Sequence, residues 1–186
     1  KGVFDQYRAV YRLGEKALAS LRDGRLLLGG AMAAADAPVL ERGALIDLFT
    51  DRIHPNKNTA RRIAENAVAV ALMQKTSVAA LLQLPQIVQA LDESKSGPEQ
   101  IARLDAALYA LRYPRLSGAI ARAENAVVAI ALSKPVTVTL PKNLEGGWID
   151  LTIRTTGGED LAARLSELRE KLGNGAFAAL FKEIEK

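Results

Sequence analysis

Cysteine is absent from the 186 residues. Its absence excludes disulfides and thiolate zinc sites and fits a reducing interior. Aromatic residues are scarce, 5% of a chain that is 49% hydrophobic. Apolar content of that kind, built from Ala, Leu and Val, points to a helical protein and away from a sandwich or barrel. No apolar run approaches the roughly 20 residues of a membrane span, and no signal peptide is visible, so no membrane role is expected. Histidine occurs once, at His54, beside Pro55 in a polar stretch, and reads as a surface loop residue. Nucleophile elbows, Walker loops and dinucleotide fingerprints are all missing. Gly157-Gly158 and Gly173-Asn174-Gly175 stand where a helix starts and stops, as caps and not phosphate cradles. The expectation is a protein that is not an enzyme, with no cofactor and no metal.

What is present is charge with an uneven distribution. The net charge is +4. Residues 1–35 carry six basic and three acidic side chains, residues 100–134 five and two, whereas residues 76–99 are net −2. Clustered cations suit phosphates, whose contacts dominate nucleic-acid affinity, although a solvated surface would look the same. The chain opens on Lys1 and not on Met, so it is expected to be a domain excised from a longer protein.

Apolar residues at helical spacing (Phe4, Tyr7, Val10, Tyr11, Leu18, Leu21) make residues 4–22 helical, with a break near Gly14 and an αL stop at Gly24. Further helices are expected over about 29–35, around Leu40–Phe49, over 59–75, 78–84, 86–92 and 98–111, and over 117–133. Thr76-Ser77 reads as an N-cap, and Pro85 and Pro98 suit first turns. Ala64-Glu65-Asn66-Ala67-Val68 returns as Ala123-Glu124-Asn125-Ala126-Val127. Two copies do not make a solenoid, but their small residues permit close helix approach. After Pro135 the period changes to two. Val136, Val138 and Leu140 alternate with threonines, and Ile149, Leu151 and Ile153 alternate again, which predicts a hairpin with one apolar face. Leu161, Leu165, Leu168 and Leu172 then form a heptad-like seam, and Phe177 to Ile184 a last helix. The predicted fold is α+β, mainly α: a helical body of about seven helices, residues 1–134, followed by a hairpin and C-terminal helices, residues 135–186.

Tyr7-Arg8-Ala9-Val10-Tyr11-Arg12-Leu13, then Leu21-Arg22-Asp23-Gly24-Arg25-Leu26, then Leu28-Gly29-Gly30-Ala31 fall in the order seen in ParB-type partition proteins, which the chain resembles. In that family a recognition helix ends in R-L, the next helix closes in R-D-G-R-L, and L-G-H-A follows. The strand–strand–leucine-rich helix ending resembles the family's dimerisation region, and Arg112 to Ser117 resembles a connector in its divergent members. Gly30 stands where the family has histidine, and the family's N-terminal nucleotide-binding motifs are not present.

The resemblance implies a DNA-binding protein of segregation or related regulation, cytoplasmic and nucleoid-associated, on double-stranded DNA. Gln6, Arg8 and Arg12 would face the duplex, with Arg22 and Arg25 on phosphates. It implies a homodimer through Val136, Val138, Ile149, Leu151, Ile153, Leu161, Leu165 and Leu168. A partner ATPase would belong to the same system but is not identified by this chain. The alternative is a helical oligomerisation or adaptor module with no nucleic-acid contact.

Overall fold

The computed structural model describes residues 3–184, with all side chains among them except those of Val3 and Gln6. It is mainly α with one antiparallel hairpin followed by C-terminal helices, as the periodicities predict. The chain forms two compact units, which divide between Arg112 and Tyr113.

Unit 1 holds α1 (Val3–Tyr11), α2 (Glu15–Arg22), α3 (Leu28–Asp36), α4 (Arg42–Asp47), α5 (Lys57–Met73), α6 (Val78–Leu81), α7 (Pro85–Ala90) and α8 (Gly97–Arg112). The break between α1 and α2 falls at Gly14 (φ 91°), and Gly24 (φ 72°) makes the αL turn after α2. Ser77 caps α6 by accepting from the Ala80 N–H, and Pro85 opens α7. Asn56 caps α5 in the same way, from the Thr59 N–H.

The centre of unit 1 is α3, which packs on α1, α4 and α5. Its Ala31, Ala33, Ala34 and Ala35 are all buried. Small side chains bring helix axes together, and at Gly29 the approach is so close that an added Cβ would lie 2.6 Å from Lys57 Cα. Leu26, Leu45, Leu48, Phe49, Ile53, Ile63, Leu81, Ile87, Leu104 and Leu108 fill the surrounding core. Near the middle of α5, Asn66 is buried and accepts from Arg112 Nη1 at 2.8 Å, so a buried amide oxygen is satisfied by a charged donor from α8.

Unit 2 holds α9 (Pro114–Ile130), β1 (Val136–Thr139), β2 (Asp150–Ile153), α10 (Gly158–Gly173) and α11 (Ala178–Ile184). The sequence places residues 113–134 with the helical body, but here they belong with the hairpin. Ala123 and Ile130 of α9 lie in one cluster with Val136, Leu168, Phe177 and Leu180. Pro114, expected in a connector, occupies the first turn of α9, where its missing N–H costs nothing, and Ala131 (φ 52°) ends that helix. The hairpin pairs Val136 with Ile153, Thr137 with Thr152, Val138 with Leu151 and Thr139 with Asp150. Directly opposite residues share a face, so the valines, Leu151 and Ile153 lie on one side as the alternation predicts. In the loop between the strands, a Cβ on Gly146 would come within 2.3 Å of the Trp148 indole nitrogen.

The two pentapeptide echoes lie near the middles of α5 and α9. Both bury their first alanine, Ala64 and Ala123. They part at the asparagine: Asn66 is buried and bonded, whereas Asn125 is exposed.

Candidate nucleic-acid interface

The α1 helix is docked by Val10, which is buried, with Ala9 and Leu13 packed beside it against the core of unit 1. Everything else its sequence made conspicuous faces solvent. Phe4 is 86% exposed, Tyr7 54% and Tyr11 73%. Arg8 and Arg12 are exposed as well. The spacing explains the division. At about 100° per residue Arg8 falls nearly opposite Val10, Phe4 and Tyr11 about 100–120° away and Tyr7 about 60°, so burying Val10 leaves Arg8 and the flanking rings outside, with Arg12 in the turn just after the helix. Neither Arg8 nor Arg12 forms an ion pair with a described residue. The side chain of Gln6, the third residue expected to face DNA, lies outside the described residues.

Arg22 and Arg25 are placed differently. Arg22 bonds Glu15 through Nη2 and reaches the Leu18 carbonyl with Nε at 3.4 Å. Arg25 lies 3.5 Å from Asp23 and 3.9 Å from Asp51. Lys16, which the sequence reading passed over, donates to Asp47 at 2.7 Å, and that contact raises its pKa. All three cations are exposed, and pairs of this kind contribute about 0–1 kcal/mol. A phosphate could therefore replace the carboxylates at small cost. The turn that carries Arg25 is held by the Leu26 N–H donating to the Ser20 carbonyl at 3.0 Å, with Leu26 buried beneath it. Of the four described arginines expected to meet DNA, only Arg8 and Arg12 have no carboxylate among the described residues to displace.

The residues expected to form a self-associating face divide in unit 2. Val136 and Leu168 are buried in its core, and Val138, Ile149 and Ile153 pack against that core. These five are occupied within the chain. Leu151, Leu161 and Leu165 are exposed, and Leu172 continues the same α10 stripe. The helix is held on its other edge. Glu167 accepts from the Ser133 N–H at 2.7 Å and from its hydroxyl at 2.6 Å, while Arg164 Nη1 donates to the same hydroxyl oxygen at 3.1 Å. The Ser133 hydroxyl and N–H hold the Glu167 carboxyl below its usual pKa.

A cleft of about 720 Å³ in unit 1 is lined by Asp36, Ala37, Pro38, Arg61, Glu65 and Arg112 among others. Its charges are used in place: Arg61 bonds Glu65 at 2.7 Å and Arg112 bonds Asn66. It holds no nucleophile beside a base. His54 is exposed in its loop. Among the described residues no group of His, Cys, Asp and Glu could hold a metal ion, and no helix is long and apolar enough to cross a membrane. Compared with protein-family models, curated proteins and solved structures, the chain matches none.

Proposed function

We propose that this chain binds DNA through α1 and associates with a second copy through unit 2, in the manner of the ParB-type partition proteins it resembles, serving DNA segregation or a related regulatory task. The observation that carries the reading is the solvent face of α1, where Arg8 and, in the turn just after it, Arg12 are exposed and form no ion pair with a described residue. Exposed guanidiniums suit phosphates and guanine edges alike. The second cluster, Lys16, Arg22 and Arg25, adds phosphate contacts by exchanging its surface pairs.

Binding of a duplex should fall steeply as salt rises. The double variant Arg8→Ala, Arg12→Ala should flatten log K against log salt by about two, close to one per lost phosphate contact. Fluorescence anisotropy of a labelled duplex measures this. No duplex binding at low salt, or a slope unmoved by the double variant, would refute the DNA reading and leave the adaptor module.

Self-association is supported by the exposed Leu161, Leu165 and Leu172, an apolar stripe on a 16-residue helix. A mass that doubles with concentration in light scattering, and stays that of one chain in Leu165→Glu, is the expected result. A wild-type monomer at high concentration would remove the dimer.

A further inference from the structure

The face of α1 carries more than phosphate-binding groups require. Phosphate needs only the arginines, and a duplex offers an approaching helix its base edges and backbone. The flat faces of paired bases are covered by their neighbours in the stack. Aromatic rings gain most from nucleic acid when bases are unpaired, because stacking on a π-face contributes regardless of base identity. Phe4, Tyr7 and Tyr11 are the most exposed apolar groups at this site, and they are interleaved with the two exposed arginines: ring, ring, Arg8, ring, Arg12.

The spacing agrees. At about 1.5 Å per residue, Phe4 and Tyr7 stand roughly 4.5 Å apart along the axis, and Tyr7 and Tyr11 roughly 6 Å. Both intervals exceed the step of about 3.4 Å between stacked nucleotides. Each ring therefore meets a base that has been drawn away from its neighbour. Arg8, one turn from Phe4 and close to Tyr11, and Arg12 beside Tyr11 are placed for the phosphates between such bases. Asp5, the one acid within α1, has an interaction of its own.

We infer that the α1 face takes a nucleic-acid strand with unpaired bases, Arg8 and Arg12 holding its phosphates while Phe4, Tyr7 and Tyr11 stack its bases. This rests on the nucleic-acid reading above and narrows the form of substrate that site prefers. The test compares a labelled oligothymidylate with a duplex of equal length by fluorescence anisotropy. Oligothymidylate should bind the full chain more tightly. Replacing all three rings by leucine, which keeps apolar surface but removes the π-face, should weaken oligothymidylate by about fivefold or more per ring, and duplex far less. Tyr7→Phe with Tyr11→Phe keeps the rings and should bind like the original. The rings are exposed, so circular dichroism should show every variant folded.

If the leucine variant holds oligothymidylate as tightly as before while Arg8→Ala, Arg12→Ala releases it, stacking is refuted and the phosphate reading survives. If neither variant changes binding of either nucleic acid, both readings fail and the rings belong to a protein contact.

Discussion

Phe49→Ala should destabilise unit 1 by about 3–5 kcal/mol, the range for deleting a buried aromatic ring. The ring is 1% exposed and stands over Gly30 on α3, whose added Cβ would lie 3.1 Å from Phe49 Cβ. The neighbours that would have to fill the void are the backbone of α3 and the buried Leu26, and a glycine offers no side chain to move into it. With a urea slope of about 1–3 kcal/mol per molar, the unfolding midpoint should drop by at least about 1 M. Far-UV circular dichroism follows the helices, and Trp148, the only tryptophan and a unit 2 residue, reports the other unit in the same sample. A midpoint shift under about 0.3 M would show that this core repacks freely. Adding Gly30→Ala should recover part of the loss, since the two positions face one another and residues in contact do not act independently.

Gly29→Val is the second large effect. An alanine methyl already meets Lys57 at 2.6 Å from Cα and 2.9 Å from the backbone nitrogen. These are backbone atoms at the start of α5, and no rotamer relieves the clash. The amino ends of α3 and α5 must separate, which opens the contact that holds the alanine face of α3 in place. Overpacking of this kind costs about 1–3 kcal/mol and sometimes more. Valine, with two more methyl groups, should fall at or beyond the top of that range in the same urea experiment. Gly30→Ala is the control. Its nearest neighbours are side-chain atoms at 3.1–3.3 Å, and the helix preference of alanine over glycine, roughly 1 kcal/mol, offsets the squeeze. Equal stability of the valine variant and the original would mean that the close approach of α3 and α5 is not maintained in solution.

Gly30 is also the position at which the chain departs from the motif named above. Histidine stands in that motif where Gly30 stands here. An imidazole at Gly30 would occupy the space of Phe49, so the glycine and the phenylalanine form one packing solution. The sequence displays both residues but not their contact, because 19 positions of chain separate them.

Local signals were legible. The break at Gly14, the αL turn at Gly24, the Ser77 cap, the proline at the start of α7 and the two-residue alternation of the strands all depend on residues within a few positions of each other. Backbone conformation answers to such short-range sterics and hydrogen bonds, so a linear reading reaches it. The seam of α10 was legible as a stripe for the same reason.

Burial was not. Periodicity groups Phe4, Tyr7, Val10 and Tyr11 as one apolar set, yet only Val10 has core to cover it. The leucines of α10 look equivalent along the chain, and only Leu168 is buried. The boundary between the units moved to Arg112 because the partners of Ala123 and Ile130 lie downstream, on β1, α10 and α11. Side chains and spacing in the sequence determined which segments are helix, strand and turn, and which faces are apolar or basic. Which of those faces is covered, and which carboxylate each arginine meets, was decided by tertiary packing alone, since burial is a property of neighbours far away in the chain.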